Sequence, residues 1–313
     1  MKAIVFGEVA LDILIKRSFL APESTIIRGS SYAATSGGHG ANQAIALSHL
    51  GVNTYLISRV GNDLFQQEIL SNLIKANVNV DGVFRGEGNS GLAILAIEET
   101  RDFRVLAFIE GVNKYISQED VTRFISLMEG ANVALSYLGF PITIVQAALR
   151  AAKSAGILTI LDPTPTLPDV PIELYTLSDI LTPNQLEAEY LVGFPVRDVE
   201  SARAAAALLR QRGSSTVIIK MGAQGVFCAA PDRAFFAPAF AINVVDTVGA
   251  GDAFNGGLAA GLAYKLPLEQ AVIWGSGTAA LSLMGEGAQS TLPTISSLQN
   301  LIRAQPISLF FQE

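Results

Sequence analysis

The sequence predicts an α/β fold with a mostly parallel central sheet flanked by helices, and three observations lead to this prediction. Short apolar runs rich in β-branched residues alternate with longer segments whose apolar residues recur at helical spacing. The short runs are apolar throughout, which is typical of strands buried on both faces. Several longer segments end at a glycine, a residue that often closes a helix. The length of 313 residues allows one large domain or two modest ones.

Each element follows from this alternation in chain order. Continuous apolar runs predict strands at Ala3–Phe6, Thr54–Ser58, Asn132–Tyr137, Leu158–Leu161 and Thr216–Lys220. Helical spacing with a following glycine or a turn predicts helices at Ala41–Leu50, Phe65–Ala76, Ile144–Ala155, Gln185–Leu191 and Ala202–Arg212. Farther along the chain, a β-like run at Ala241–Val245 leads into a predicted helix at Ala253–Tyr264.

Two regions interrupt this alternation. The segment from Ile13 to Thr35 is rich in Ser and Ala and has no clear helix. Two strand-like runs, Gly91–Ile97 and Arg104–Ile109, are separated by charged and polar residues that predict an exposed hairpin tip. We expect these pieces, at about 13–35 and 90–112, to form a small β-sheet lid over a cleft.

Composition and charge exclude several classes of function. Lys and Arg total 21 against 28 Asp and Glu, and the net charge of −7 argues against a general nucleic-acid binder. The uncharged stretch from Ala131 to Leu149 is broken by Gly139 and Pro141, so we predict a strand, a turn and a helix there rather than a membrane span. A single cysteine, Cys228, rules out an intrachain disulfide and favours a reducing cytoplasm.

The strongest candidate for chemistry is the segment from Val245 to Gly257. Gly249, Ala250 and Gly251 would present unobstructed backbone N–H groups at a helix N-terminus, which suits a phosphoryl group that is gaining charge. Asp252 would lie in the first helical turn beside that anion and accept a hydroxyl proton as general base. The alternative interpretation is an ordinary helix N-cap after a glycine-rich turn.

A second candidate is the glycine turn from Ser36 to Ala44, which enters the first predicted helix. Asn42 offers a donor and an acceptor, which suits a polyol substrate. Gly38 and His39 lie in the turn, where His39 is either a substrate contact or an exposed turn residue. Asp12 follows the first strand, near the edge where ligands collect in α/β sheets.

A third candidate is the pair Asn184 and Glu187, which also fits a helix-capping box. The functional interpretation gives Asn184 the phosphates and Glu187 a hydrated Mg²⁺, which keeps most of its waters. The turn from Gly222 to Gly225 and the turn around Gly285 and Gly287 are weak signals when each is taken alone.

Together these ordered segments resemble the ribokinase-like (PfkB) carbohydrate kinase family, from about Lys2 to beyond Pro293. The resemblance implies one domain over residues 1–313 and ATP-dependent phosphorylation of a primary hydroxyl of a small carbohydrate. Asp252 would be the base, and the amides of Gly249, Ala250 and Gly251 would form the anion hole. The resemblance further implies these site residues: Asp12, Gly38, His39 and Asn42 on the substrate; Asn184 and Glu187 on the phosphates and Mg²⁺; and Gly222, Gly225 and Gly287 around the nucleotide.

Members of this family often bind K⁺ beside the site, and the matching positions are Asp246, Val248, Ser282, Gly285, Gly287 and Thr291. Ala10, His39 and Gly139 depart from the pattern of ribokinases proper, so we expect a substrate other than ribose, with Ala10 and Gly139 leaving room for a larger one. A nucleoside kinase on the same scaffold is the alternative. A non-catalytic binding regulator is a remote one, because Asp252 is present. Unpaired edges of the lid sheet would allow a homodimer.

Overall fold

The computed structural model describes residues 1–17, 29–98, 103–167 and 169–312. The strands are β1 (Lys2–Phe6), β2 (Ala10–Arg17), β3 (Ser31–Gly37), β4 (Asn53–Gly61), β5 (Val83–Gly86), β6 (Gly91–Glu98), β7 (Phe103–Ile109), β8 (Val133–Tyr137), β9 (Leu158–Asp162), β10 (Ile180–Leu181), β11 (Thr216–Lys220), β12 (Gly225–Ala229), β13 (Ala234–Pro238) and β14 (Phe310–Gln312). The helices are α1 (His39–His49), α2 (Gln66–Lys75), α3 (Gln118–Leu127), α4 (Ile142–Ser154), α5 (Ile172–Leu177), α6 (Gln185–Val192), α7 (Val199–Gln211), α8 (Ala250–Ala263), α9 (Leu268–Ser282) and α10 (Ile295–Ala304).

The larger sheet confirms the predicted parallel core. Within the described ranges it has ten strands in the order β14-β13-β12-β11-β10-β9-β8-β1-β4-β5. Pairing is parallel from β11 to β5 and antiparallel from β11 to β14. In the register of β1, Val5 lies opposite Leu56 of β4 and Leu135 of β8. The carboxyl ends of these parallel strands therefore meet at one edge, where α/β folds bind ligands.

Helices cover both faces of this sheet, as the continuously apolar strands predict. Alternate residues of a strand point to opposite faces, so Val5 packs in a core with Ala44 and Leu258 of helices α1 and α8. The next residue, Phe6, packs in the opposite core, where it makes edge-on ring contacts with Phe124 and Phe140. Water is excluded from both cores, because these strand and helix residues are buried.

A second, smaller sheet confirms the prediction of a discontinuous β-sheet. Within the described ranges it consists of β3-β2-β6-β7, with β2 antiparallel to β3 and parallel to β6. Two of its strands extend beyond the predicted limits, because β2 begins at Ala10 and β3 ends at Gly37. Asp12 follows β1 of the main sheet, as predicted, but it lies inside β2 of the small sheet rather than in a loop at the edge of the main sheet. Most of the predicted hairpin tip, at 99–102, lies outside the described residues.

Three predicted features differ from the structure: one strand is absent and two helices begin earlier than predicted. Residues 241–245 form no strand, and at Ala241 the Gln305 side chain occupies the backbone N–H and carbonyl that a neighbouring strand would otherwise pair with. Helix α8 begins at Ala250 rather than Ala253, and α1 begins at His39 rather than Ala41. The earlier starts place His39 and Asp252 in the first turns of two helices. No helix in the described part of the chain is long and apolar enough to cross a membrane.

Candidate active site

The N-terminus of α8 lies at a cavity of about 700 Å³. Gly249 caps the helix with φ of 76°, a left-handed conformation that favours glycine. A Cβ at Gly249 would also lie 2.6 Å from the Cβ of Ala288, so the turn has no room for a larger residue. Gly249, Ala250, Gly251 and Asp252 all line the cavity, as the sequence predicts for an anion site.

The side chain of Asp252 is buried, with 3% of its surface exposed. Three side chains of helix α1 contact its carboxylate. His39 Nδ1 lies 3.0 Å from Asp252 Oδ1, and Asn42 Nδ2 donates to Oδ2 at 2.9 Å. Gln43 Nε2 donates to Oδ1 at 3.1 Å. Helices α1 and α8 approach closely because Gly256 has no side chain, and a Cβ there would lie 2.4 Å from Ala46 Cβ. The contact brings the two main predicted motifs together at one carboxylate.

Two more buried carboxyls surround His39. Glu8 is 5% exposed and Asp12 is 8% exposed. Burial raises the pKa of Glu8 and raises the pKa of Asp12 to about 7, while His39 opposes both shifts. Burial lowers the pKa of His39, but the Asp252 carboxylate outweighs it and raises the pKa to about 10. The imidazole is therefore cationic at neutral pH, and because 41% of its side-chain surface is exposed, solvent weakens the shift.

Gly139 does not leave the space that the sequence suggests. A Cβ at Gly139 would lie 2.1 Å from Cε2 of Tyr137 and 2.2 Å from its hydroxyl oxygen, so the Tyr137 ring fills this space. The ring is 2% exposed and stacks near His39 with 5.5 Å between ring centroids. Its hydroxyl lies beside the Glu8 carboxylate without a hydrogen bond of normal geometry. The expectation of a larger pocket at Gly139 is therefore wrong.

The residues predicted to serve the phosphates also line the cavity. Asn184 and Glu187 form a capping box at the start of α6, with Asn184 N donating to Glu187 Oε2 at 2.7 Å and Glu187 N donating to Asn184 Oδ1 at 2.9 Å. Thr164 Oγ1 also donates to Glu187 Oε1 at 2.6 Å. Both interpretations of this pair are compatible with the geometry, because the capped side chains line the cavity as well.

Sequence reasoning missed two charged residues of the cavity, Asp162 and Lys220. Asp162 ends β9 and Lys220 ends β11, and Lys220 Nζ lies 3.4 Å from Asp162 Oδ1. Asp162 also accepts from Gln43 at 3.2 Å, from Asn255 at 2.7 Å and from Thr164 at 3.1 Å. Burial raises the pKa of Asp162 to about 6, with Lys220 opposing the shift. Both residues could have been identified from the sequence by their positions at the carboxyl ends of predicted parallel strands, where ligands bind.

Much of the remaining lining of the cavity is apolar. Gly222 and Gly225 border the tight turn between β11 and β12, and both line the cavity. Phe240, Ile242 and Leu283 line it as well. An apolar lining in the same cavity as an anion site is compatible with a purine joined to phosphates.

Among the positions predicted for K⁺, Val248 and Gly287 contact Asp246. This carboxylate is 5% exposed, and it accepts from Val248 N at 3.0 Å and from Gly287 N at 2.9 Å. Thr291 Oγ1 donates to the Gly287 carbonyl at 2.9 Å. Ser282 Oγ donates to the Ala279 carbonyl, and Gly285 has Thr291 as its nearest neighbour. The residues described here contain no cluster of three or more His, Cys, Asp or Glu side chains arranged to hold a metal.

The structure separates some predicted residues from the cavity. Asp12, Gly38 and Asn42 do not line it and lie on the far side of Asp252, toward the small sheet. Gly287 lines a neighbouring cavity of about 400 Å³ instead. Asp252 and His39 therefore separate the nucleotide-sized cavity from the side that carries the predicted substrate residues.

Comparison with known proteins decides the family. A family model described as pfkB family carbohydrate kinase matches residues 1–295. The chain belongs to the pfkB family of carbohydrate kinases. Membership of this family and the predicted fold are thus both confirmed, and this pfkB kinase is a phosphotransferase whose acceptor is a hydroxyl group.

Named relatives of this pfkB kinase extend over nearly its whole length. It is 33% identical over 304 residues to a bifunctional ribokinase/ribose-5-phosphate isomerase A of Fructilactobacillus sanfranciscensis, covering 96% of this chain and 56% of that protein. It therefore spans little more than half of that bifunctional protein. A deoxyribokinase of Salmonella typhi is 30% identical over 303 residues, which is 96% of this chain and 99% of the relative. The structure of Arabidopsis thaliana ribokinase complexed with ribose and ATP aligns with TM-score 0.86 and 26% identity, over 96% and 98% of the two chains.

Proposed function

We propose that this pfkB kinase transfers the γ-phosphoryl group of ATP to a hydroxyl of a small, neutral carbohydrate. The observation that carries the proposal is the position of Asp252. Its carboxylate lies in the first turn of α8, next to the amides of Gly249, Ala250 and Gly251, with a nucleotide-sized cavity on one side. A base and an oxyanion-stabilising helix N-terminus in contact are what phosphoryl transfer to an alcohol requires.

The chemistry follows from these groups. Asp252 accepts the proton of the attacking hydroxyl, whose oxygen then bonds to the γ-phosphorus as the bond to the ADP oxygen breaks. The amides at the start of α8 stabilise the charge on the transferring group. His39 and Asn42 hold the Asp252 carboxylate, so that it meets the hydroxyl in one orientation.

The residues beside the phosphates fit a magnesium ion. Mg²⁺ binds through one or two carboxylates and several waters, and Glu187 offers a carboxylate that lines the cavity next to Thr164. When bound, such an ion would neutralise charge on the phosphates. Asp246 ties two loops together by accepting from the backbone N–H groups of Val248 and Gly287, and a K⁺ ion held by carbonyls of these loops is proposed from the family resemblance. We keep both ions as proposals for this chain.

The charges around His39 favour a neutral substrate. Three buried carboxyls, Glu8, Asp12 and Asp252, lie around one imidazole that is already paired with Asp252, so this side of the site offers little positive charge to the phosphate of a sugar phosphate or the carboxylate of a sugar acid. On β2, the described Lys16 is already paired with Glu286 at 2.6 Å. Relatives named ribokinase and deoxyribokinase place pentoses among the candidates, and ribose stays among them despite Ala10, His39 and Gly139.

The test is ADP release with Mg-ATP and K⁺ across neutral pentoses and hexoses, ribose and deoxyribose included, together with sugar acids, sugar phosphates and nucleosides. We expect one neutral sugar to give the highest kcat/KM, and Asp252→Asn to abolish most of its turnover. A nucleoside that outperforms every sugar would replace the proposal with nucleoside kinase activity. ATP binding without turnover of any compound would favour a binding regulator.

The small sheet suggests a partner. Tyr32 is 78% exposed, Val105 is 51% exposed and Phe108 is 48% exposed, and all three lie on its outer strands β3 and β7. Exposed apolar side chains on strands with unpaired edges fit a second copy of the chain. We therefore propose a homodimer through this sheet, which sedimentation equilibrium would detect and Phe108→Glu would weaken. A cytoplasmic location remains a prediction from the single cysteine.

A further inference from the structure

Lys220 combines burial, charge and position in a way that the predicted motifs do not explain. It ends β11, its side chain is 13% exposed, and it lines the cavity of about 700 Å³. No other lysine or arginine of the described chain lines that cavity. Its Nζ lies 3.5 Å from the point where a Cβ on Gly251 would stand, so the ammonium is next to the anion hole.

The surroundings of Lys220 keep it charged. Burial lowers its pKa, but the carboxylates of Asp162, Glu187 and Asp252 outweigh burial and raise the pKa above its ordinary value. Lys220 is therefore a buried cation in a cavity whose described lining also carries three carboxyls, Asp162, Glu187 and Asp252, together with the His39 imidazole that is already paired with Asp252. A triphosphate entering among those carboxylates alone would be repelled strongly at short range.

The contact with Asp162 leaves hydrogen-bond donors of the Lys220 ammonium that can bind a ligand. The distance of 3.4 Å between Lys220 Nζ and Asp162 Oδ1 is longer than the roughly 2.7–2.9 Å of a strong charge-assisted hydrogen bond. An ammonium has three donors, and the structure shows one directed at Asp162. The other donors can reach an anion at the amides of Gly249 and Gly251.

We propose that Lys220 is a catalytic residue that contacts the transferring phosphoryl oxygens, and that Asp162 is the positioning residue that holds it there. The inference rests on the proposed kinase function. Asp162 suits this role because hydrogen bonds from Asn255 at 2.7 Å and from Gln43 at 3.2 Å fix its carboxylate. Gln43 also donates to Asp252 at 3.1 Å, so the same amide sets the position of the base relative to Lys220.

The first experiment compares Lys220→Met, Lys220→Arg and the matched control Lys153→Met. Lys153 forms a lysine–aspartate pair with Asp179 at 2.8 Å outside the cavity, so its loss should leave kcat unchanged. We expect Lys220→Met to lower kcat on the order of 10²–10³-fold, as loss of one oxyanion contact does. The KM for sugar should change little, and Lys220→Arg should restore part of kcat.

The second experiment measures binding of ATP and AMP to the same variants by calorimetry, without sugar. Lys220→Met should weaken ATP binding much more than AMP binding, because only ATP places phosphates at α8. Equal weakening of both nucleotides would show a structural role and overturn the proposal, as would a kcat within about twofold of wild type. If Lys220→Met does not fold, Lys220→Gln, which keeps a donor toward Asp162, replaces it under the same criteria.

A third variant tests the positioning role. Asp162→Asn keeps the size and shape of the side chain and one of its two oxygen acceptors, but it removes the negative charge that faces Lys220. We expect kcat to fall and its pH profile to lose an ionisation near pH 6, because the pKa of Asp162 is raised to about 6. An unchanged profile would remove Asp162 from the role. If wild type turns over no sugar, the proposed function fails, while the comparison of ATP with AMP still tests Lys220.

Discussion

Gln289 Nε2 donates a hydrogen bond of 2.8 Å to Oδ1 of Asn42, and this contact links the loop after α9 to the base. Asn42 Nδ2 in turn donates to Asp252 Oδ2 at 2.9 Å. Gln289 Oε1 accepts from Asn72 of α2 at 2.5 Å, so both ends of its amide are used. Residues that do not contact Asp252 therefore fix the orientation of Asn42. One of them, Gln289, lies in the loop beside the proposed K⁺ site.

Removing the Gln289 amide should impair catalysis more than sugar binding. In Gln289→Leu, Asn42 loses the donor that fixes its orientation, and its NH₂ group is free to turn away from Asp252. We expect kcat to fall about tenfold or more, corresponding to roughly 1–3 kcal/mol for one buried polar group left unpaired. Steady-state kinetics with the best sugar would measure this. Gln146→Leu, which removes a bond to Glu173 outside the site, serves as control, and equal losses in both would contradict the role of Gln289.

Asp252→Asn tests the general base directly. The amide keeps the size of the side chain but cannot accept the hydroxyl proton, so we expect turnover to fall on the order of 10²–10⁴-fold. Affinity for ATP should change only modestly, because the amides of Gly249 to Gly251 remain. Rapid-quench or coupled assays give kcat, and calorimetry gives the affinity. Turnover close to that of wild type would exclude Asp252 as the base.

The raised pKa of His39 predicts a pH dependence of stability. A cation whose pKa rises from 6.5 to about 10 on folding stabilises the protein fully below pH 6.5, and this stabilisation is lost as the pH rises toward 10. The difference in free energy of unfolding between wild type and His39→Gln should therefore shrink between pH 6.5 and 10. Urea titrations at several pH values measure it. Asp12, whose pKa is raised to about 7, contributes its own pH dependence of stability at lower pH, between about pH 4 and 7. A difference that stays constant with pH would show that His39 is neutral.

Gly139→Ala should destabilise the protein through Tyr137. The new methyl group would lie 2.1 Å from a carbon of the buried ring, so the ring must move away from His39. Overpacking of this kind costs about 1–3 kcal/mol. In a Tyr137→Leu background the same substitution should cost clearly less, because the ring is gone. Chemical denaturation of the four proteins completes the cycle, and equal costs in both backgrounds would disprove the contact.

Much of the fold was predictable because its signals are local. Continuous apolar runs such as Thr216–Lys220 predicted parallel strands, and the structure places a strand at the same limits. The run at Ala241–Val245 carries a similar local pattern but forms no strand, and at Ala241 the distant Gln305 makes the hydrogen bonds that a neighbouring strand would make. Local pattern thus gives a preference, and the availability of a partner decides the outcome.

The order of the α/β elements, the small discontinuous sheet and the segments around Asp252, Asn42 and Asn184 could be predicted from the sequence, because glycine turns and helix starts depend on adjacent residues. Folding is what brings Tyr137 into the space over Gly139 and Lys220 to Asp162 beside the anion hole. These contacts join residues from separate strands or depend on the direction of a buried ring. Their energy depends on distance and burial in the folded chain, which spacing along the sequence does not encode.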